Sequence, residues 1–431
     1  MEKVRADTAP GSAWARGPLK PLRHRQYRRL AASMVLELTA AGSWLVAIVW
    51  LIIEHGGGPT QLSIVTTGSA IGLLATALLG GVAADRVPQR TILLLTTLVR
   101  IVVVAVVGAL AFADAVPIPA LAAAALVIGA SEGFYFPAYS ALLPALVHDE
   151  DLLAANGLEG FLRPTLLQAA GPALAGVVVA ATSPAVAIAM TLVLEVLVLL
   201  PLLALRPVAL GRDLDAEPTS AWADIKGGLA YMLGTPWFLA TLLFACLLVL
   251  AVIGPLEVLV PFVVKDRAGG GPTDHALVLA AFGIGGAIAA LVAGASRLPR
   301  RYLTVMVGLW GVSCVPMLAV GFSESVVVIA AAMFVVGALF EWPTVIWGTL
   351  LQRRVPREML GRASSLDFFV SLLLMPVSMA LAGPLSQLIG LQATFVLVAV
   401  VPLVAAPVAI WAARMPRDEI AHPLRAETSD T

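Results

Sequence analysis

The segment Gly81-Val-Ala-Ala-Asp85-Arg86-Val-Pro-Gln-Arg90 lies between two long apolar runs. A degraded copy, Gly294-Ala-Ser-Arg297-Leu-Pro-Arg300-Arg301, separates two further apolar runs, roughly half of the 431-residue chain later. At nearly the same offset Gly56-Gly-Gly-Pro-Thr60 returns as Gly269-Gly-Gly-Pro-Thr273, and Gly171-Pro172 returns as Gly383-Pro384. These matches indicate a membrane protein built from two similar halves, an organisation that places a binding site between the halves.

Composition supports a membrane protein. Hydrophobic residues make up 60% of the chain and charged residues 13%, values that exclude a water-soluble fold. A membrane-spanning helix needs about 20 apolar residues. Segments of that kind are predicted at 28–54, 61–84, 91–113, 117–145, 152–181, 184–206, 237–264, 274–296, 302–322, 325–351, 358–388 and 391–413.

The predicted fold class is therefore an all-α membrane protein with twelve transmembrane helices in two pseudo-symmetric six-helix bundles. All but four of the 27 Lys and Arg residues lie on the side of the termini, which predicts cytoplasmic termini in a multi-pass protein of the inner (plasma) membrane. The predicted organisation is a tail over 1–27, bundles over 28–206 and 237–413, a linker with an amphipathic helix over 207–236, and a tail over 414–431.

The opening motif has a physical interpretation. Gly81 would let neighbouring helices approach closely, Asp85 would end a helix with a charge at the water interface, and Arg86 and Arg90 would fix the loop. Topological anchoring alone is the alternative. It explains the arginines, but it explains neither the Gly-to-Asp spacing nor the copy in the second half.

Twelve helices in two sets of six, with Gly-x-x-x-Asp-Arg-x-x-x-Arg between the second and third, resemble the major facilitator superfamily along essentially the whole chain. The resemblance implies a transporter in which Asp85 contacts the start of the eleventh helix and latches one face shut. The expected contact is the segment 357–362, including Arg362. Pro88 departs from the family pattern of the turn, and Ser296 replaces the Asp in the second copy.

A second resemblance concerns the fifth span. Gly171-Pro172-Ala-Leu-Ala-Gly176 is similar to the Gly-Pro element of exporters in this superfamily, in which Pro kinks the helix and Gly permits close packing. Ordinary use of Gly and Pro in membrane helices is the alternative. The segments 152–158 and 21–28 are similar to the branch with the enterobactin exporter and macrolide-efflux carriers, which favours export.

Ionisable side chains inside membrane helices are candidates for function because each costs several kcal/mol there. Aligning the halves pairs Glu159 with Asp367 and places Glu132 near Glu341. Neighbouring aromatic rings would line a cavity for an amphipathic or cationic ligand. The candidates for binding substrate or protons are Glu37, Glu132, Tyr135, Glu159, Arg163, Glu257, Glu341, Trp342 and Asp367. The alternatives are structural carboxyls hydrogen-bonded to neighbouring helices and ordinary aromatic packing.

Two arginines lie within predicted spans. Arg100 matches Glu195 in depth, which predicts a structural ion pair, and Arg163 shares a face with Glu159 at i,i+4 spacing. Many proton-driven exporters of this superfamily carry an Arg in the fourth helix, but segment 117–145 contains none.

The predicted function is a secondary exporter of a drug, antibiotic or siderophore-like amphipathic molecule, working by alternating access in exchange for protons. The alternatives are an importer, a lysophospholipid-type lipid carrier, or a non-transporting sensor or scaffold. No phosphate-binding loop is present, so the proton gradient is the expected energy source and no cofactor is expected. No enzyme activity, metal site or nucleic-acid partner is predicted, and a lipid-embedded monomer is expected. The five histidines are predicted to lie at loops or at the ends of helices: His24, His55, His148, His275 and His422.

Overall fold

The computed structural model describes residues 19–148, 151–207, 221–296 and 298–424. Within them, 12 helices are long and apolar enough to cross a membrane, which confirms the predicted fold class. Contacts divide the chain into two compact units: unit 1 is Met1–Gly57 with Ile64–Asp213, and unit 2 is Gly58–Ser63 with Leu214–Thr431.

The helices of the first half follow a short 3₁₀ turn at Lys20–Arg23. They are α1 Arg25–Glu54, α2 Pro59–Arg86, α3 Gln89–Phe112, α4 Ile118–Leu146, α5 Leu152–Arg163, α6 Gly171–Ala181 and α7 Pro184–Ala204. A π-helical stretch, Pro164–Ala170, joins α5 to α6 within the fifth span. Both α2 and α7 begin at proline, which suits the first helical position because no N–H is needed there.

The second half begins with α8, Ala221–Gly234, in the predicted linker; residues 208–220 lie outside the described part. The remaining α-helices are α9 Pro236–Gly254, α10 Val260–Phe262, α11 Pro272–Ala295, α12 Tyr302–Ser313, α13 Met317–Phe322, α14 Val326–Arg354, α15 Arg357–Leu372, α16 Met375–Ile389, α17 Leu391–Ala412 and α18 Met415–Ala421. Two π-helical stretches, Pro255–Leu259 and Val263–Arg267, interrupt the seventh span.

Close backbone contact joins α2 to α4 in unit 1. A Cβ atom at Gly72 would lie 2.0 Å from the Leu126 carbonyl oxygen, and one at Gly129 would lie 2.0 Å from the Ser69 carbonyl oxygen. Real Cβ atoms do not approach backbone so closely, so these positions require glycine. Small residues of this kind let membrane helices gain van der Waals contact where water cannot drive association.

The same contact recurs between α11 and α14 in unit 2. A Cβ at Gly285 would lie 2.1 Å from the Phe334 carbonyl oxygen, and one at Gly337 would lie 2.1 Å from the Phe282 carbonyl oxygen. These positions are separated from their counterparts in unit 1 by about the offset of the sequence copies. The repeat in the sequence is therefore also a repeat of helix contacts inside each unit.

The glycine of the opening motif behaves differently from the prediction. A Cβ at Gly81 would meet no described atom within 4 Å, whereas one at Gly80 would lie 1.9 Å from the Gly133 carbonyl oxygen. The close-packing role predicted for Gly81 is therefore wrong. Its neighbour makes that contact, because one residue of helix rotation turns Gly80 toward α4.

The Gly-Pro element of the fifth span packs against α1. A Cβ at Gly171 would lie 2.7 Å from the Thr39 carbonyl oxygen, and Ser43 Oγ donates a hydrogen bond of 3.1 Å to the Gly171 carbonyl oxygen. Pro172 and Gly176 are both buried in α6. The helix is irregular before Pro172, in the π-helical stretch, so close packing and backbone irregularity occupy adjacent positions.

Adding a methyl group at the glycine contacts should separate the paired helices. We expect Gly72→Ala and Gly285→Ala each to destabilise the detergent-purified protein by about 1–3 kcal/mol, the usual cost of overpacking. Thermal unfolding followed by size-exclusion chromatography would measure this loss. Gly81→Ala is the matched control and should melt like the wild type; equal melting of all three variants would contradict the contact.

Candidate functional site

The central feature of unit 1 is an ionic cluster of Glu37, Arg100 and Glu195, named here the Arg100 cluster. Arg100 Nη1 lies 3.1 Å from Glu37 Oε1, and Arg100 Nε lies 3.1 Å from Glu195 Oε1. The three residues are 6%, 3% and 4% exposed, respectively. The predicted contact between Arg100 and Glu195 is present, but Glu37 of α1 joins it, so the cluster links α1, α3 and α7.

The fourth helix contributes two further side chains to this region. The Arg100 guanidinium lies 5.0 Å from the centre of the Tyr135 ring, within the range of a cation–π interaction. Glu132, one turn earlier on α4, interacts electrostatically with Glu37, Arg100 and Arg163. The fourth span itself contains no arginine, but Arg100 of α3 contacts its side chain Tyr135.

Several polar atoms near the cluster remain unpaired among the described residues. Arg100 Nη2, Glu195 Oε2 and Tyr135 Oη are buried without a hydrogen-bond partner. Buried polar atoms without partners are uncommon and costly in native proteins. Of these three atoms, Arg100 Nη2 can only donate a hydrogen bond, whereas Glu195 Oε2 can take up a proton.

A second ionic group lies on α5. Arg163 Nη2 is 3.0 Å from Glu159 Oε1, which confirms the predicted shared face, and the Arg163 guanidinium lies 4.9 Å from the Phe136 ring centre. The Glu159 and Arg163 side chains are 16% and 38% exposed. Contact of a charge with hydrocarbon costs about 3 kcal/mol or more, so this exposed surface faces water or a polar cavity.

The carboxylates of unit 2 have a different environment. Asp367 Oδ2 accepts a hydrogen bond of 3.0 Å from Trp347 Nε1, and Asp367 Oδ1 accepts one of 3.2 Å from Ser371 Oγ. Glu341 packs along Gly286 of α11. Sequence alignment of the halves predicts paired acids, yet Glu159 pairs with an arginine, whereas Asp367 accepts hydrogen bonds from two neutral donors.

The remaining candidates in unit 2 are two half-buried side chains. Glu257 lies in the π-helical stretch Pro255–Leu259. Trp342 follows Glu341 on α14, and its indole nitrogen is buried without a hydrogen-bond partner among the described residues.

An aromatic cluster in unit 2 was missed by sequence reasoning. Trp347 stacks on Phe238 with ring centres 5.7 Å apart and meets Trp237 edge-on at 6.1 Å. The Arg354 guanidinium lies 4.6 Å from the Trp237 ring centre. These rings fix the indole that donates to Asp367. Trp347 and Asp367 come from different helices, so no local spacing in the sequence indicates their contact.

The structure describes only some residues of the predicted latch. The side chains of Asp85 and Arg362 lie outside the described residues. Arg86 is exposed, and Arg90 donates hydrogen bonds to the carbonyl oxygens of Leu202 and Leu203, at 3.2 and 3.0 Å. Arg90 therefore satisfies carbonyls at the end of α7, a specific contact that fixes the loop as predicted.

The Arg100 cluster makes a prediction about stability. Arg100→Met would leave two buried carboxylates without a cation, so we expect a loss of about 3–5 kcal/mol. The triple variant Arg100→Met, Glu37→Gln, Glu195→Gln removes all three charges and should recover most of that loss. Thermal unfolding in detergent would test both; a triple variant as unstable as Arg100→Met would show that lost packing, rather than unpaired charge, is responsible.

Known proteins give an independent view of the family and fold of this chain. Residues 16–427 match the family described as transmembrane secretion effector. Multidrug efflux pump Tap of Mycolicibacterium fortuitum is 27% identical, the match covering 87% of this chain and 92% of the pump. Macrolide efflux protein A of Streptococcus pyogenes is 22% identical, with 85% and 90% covered.

Solved structures support the same architecture. A crystal structure of a mutant of nucleoside transporter NupG superimposes with a TM-score of 0.72 at 12% sequence identity, covering 90% of this chain and 99% of that one. At such low identity the likeness concerns the fold alone. The family match, the relatives and the twelve spans agree: the chain is a multi-pass membrane transporter, not an enzyme, and belongs to the transmembrane secretion effector family of the major facilitator superfamily.

Proposed function

We propose that this protein exports an amphipathic, drug-like small molecule from the cytoplasm by alternating access, in exchange for protons. Relatives named as multidrug and macrolide efflux pumps support the direction and the class of substrate. Proton exchange rests on one observation, the excess of carboxylates over guanidinium groups around Arg100.

The charge balance of unit 1 gives the physical basis of proton exchange. Glu159 and Arg163 neutralise each other, which leaves Glu37, Glu132 and Glu195 to share the single positive charge of Arg100. With every carboxyl ionised the group carries two negative charges. An unpaired buried charge costs several kcal/mol, so the group is balanced when protons or a cationic ligand supply the missing positive charge.

Exchange follows when a proton and a substrate compete for that negative charge. Arg100 lies between Glu37 and Glu195 and can strengthen either ion pair while the other carboxyl takes up a proton. A cationic substrate bound beside Glu132 would supply the positive charge that the proton had supplied, and the proton would then be released. Phe136 is 43% exposed on the same helix and offers an apolar surface to the rest of such a molecule.

Other parts of the proposal come from the superfamily. The Asp85 and Arg362 latch would close one face during the cycle, and Arg86 would hold the same loop. We further propose cytoplasmic termini, residence in the plasma membrane and a monomeric state. Glu341 and Asp367 would take part in binding substrate or protons in unit 2, where Asp367 accepts hydrogen bonds from neutral donors.

Energised efflux in inverted membrane vesicles tests proton exchange. A pH-sensitive dye would follow proton movement while amphipathic cations, macrolides and siderophores are added. We expect a substrate-triggered proton flux in the wild type and its loss in Glu37→Gln and Glu195→Gln, because each change removes a titrating carboxyl. Glu159→Gln should retain much of the flux, since Arg163 already neutralises that carboxylate.

Glu54→Gln is the matched control for Glu37→Gln, because Glu54 is an exposed carboxyl at the end of the same helix. It should transport like the wild type. Transport that ignores the proton gradient and survives Glu37→Gln, Glu132→Gln and Glu195→Gln would contradict proton exchange. Facilitated transport or lipid transport would then explain the fold better.

A further inference from the structure

A cluster of metal-binding side chains lies outside the ionic groups described above. His24 directly precedes α1, His148 follows α4, and Asp151 immediately precedes α5. One ligand atom from each of the three side chains lies within 4.8 Å of the other two. Sequence reasoning assigned these histidines to loops and expected no metal cluster, because the fold joins positions more than 120 residues apart.

The hydrogen bonding of His24 is contradictory in this arrangement. His24 Nε2 lies 2.7 Å from Asp151 Oδ2, which needs a donor, and 3.5 Å from Arg23 Nε, which needs an acceptor. It also faces His148 Nδ1 at 3.4 Å. One ring nitrogen carries either a proton or a lone pair, so it cannot satisfy all three neighbours. A cation would take lone pairs from both imidazoles and the carboxylate together, which a single proton on His24 Nε2 cannot do.

The distances suit a small transition-metal ion. Tetrahedral Zn²⁺ sites have Zn–N bonds of about 2.0–2.1 Å, which puts neighbouring ligand atoms about 3.4 Å apart. The two imidazole nitrogens already have that separation. Asp151 Oδ2 would move away from His24 by about 0.7 Å to reach it. His148 is exposed, which gives an ion access from solvent.

The Asp151 carboxylate is buried and already contacts two cationic side chains. Lys20 Nζ lies 2.9 Å from Oδ1, and Arg23 Nη2 lies 2.8 Å from Oδ2. These cations would oppose a divalent ion and limit its affinity.

We propose that His24, His148 and Asp151 form a binding site for a divalent transition-metal ion of the Zn²⁺ type. Two imidazoles and one carboxylate form a nitrogen–oxygen ligand set that such ions prefer and that leaves a fourth position for water. The ion would fasten the turn before α1 to the start of α5 within unit 1.

Metal binding to the full-length protein tests this site. The protein would be purified in detergent with a histidine-free tag and titrated with Co²⁺, whose visible absorption reports a four-coordinate site, and then with competing Zn²⁺. We expect one ion per chain. His148→Ala should weaken binding by at least the ~10-fold that loss of an outer-shell partner costs. Because His148 is exposed, this change should not disturb folding.

His55→Ala is the matched control. His55 Nε2 lies 3.1 Å from Asp114 Oδ1, so it forms a histidine–aspartate pair that has no second histidine in any described contact. This variant should bind Co²⁺ like the wild type. Absence of stoichiometric binding, or equal affinity in wild type and His148→Ala, would overturn the proposal. Binding is read without transport, so failure here would leave proton-driven export untouched.

A charge-removal variant locates the ion. Arg23→Gln removes a positive charge next to Asp151, and a unit charge about 5 Å from a divalent ion alters affinity by at least ~10-fold even at the dielectric constant of water. We therefore expect Arg23→Gln to bind Co²⁺ at least that much more tightly. An unchanged affinity in Arg23→Gln would place the ion elsewhere and overturn the assignment.

Discussion

A guanidinium inside a membrane-spanning helix has to be neutralised by the protein itself. Arg100 lies in the middle of α3, and its counter-charges arrive from α1 and α7 while an aromatic face arrives from α4. These four helices are thereby held around one charge. Hydrocarbon offers no substitute for these partners, so the positions of Glu37, Glu195 and Tyr135 all depend on the arginine.

The two halves share a backbone design but differ in their chemistry. Glycine contacts join α2 to α4 and α11 to α14 in the same way. In unit 1, however, the candidate carboxylates are surrounded by arginines, whereas Asp367 in unit 2 is held by an indole and a hydroxyl. Duplication accounts for the common packing. Later divergence of a few side chains then separates the ion pairs around Arg100 and Arg163 from the neutral donors around Asp367.

Much of the fold could be predicted from the sequence because hydrocarbon thickness and the obligation to satisfy backbone groups fix the length of each span. The Glu159–Arg163 contact was also predictable, since helical periodicity alone determines it. Three-dimensional neighbours were harder. Glu37 belongs to the Arg100 cluster because α1 packs against α7, and Trp347 meets Asp367 because two helices cross; neither relation leaves a local pattern.

The opening motif shows a further limit. Gly80 and Gly81 are adjacent and chemically identical, and the motif drew attention to the wrong one for packing. Which glycine faces α4 depends on helix rotation at that depth, and each residue turns the helix by about 100°. His24, His148 and Asp151 illustrate the same limit at longer range, since no spacing rule connects His24 with two residues more than 120 positions later.

The π-helical stretch Pro164–Ala170 has a consequence for the fifth span as a whole. A π-helical turn accommodates an extra residue, so the faces before and after it are offset by about one residue of rotation relative to a regular α-helix. Glu159 on α5 and Gly171 on α6 therefore meet different neighbours than a continuous helix would give them. Many substitutions within the stretch preserve that offset, whereas deletion of a single residue would remove it. The number of residues in the fifth span therefore constrains its packing as strictly as the identity of those residues does.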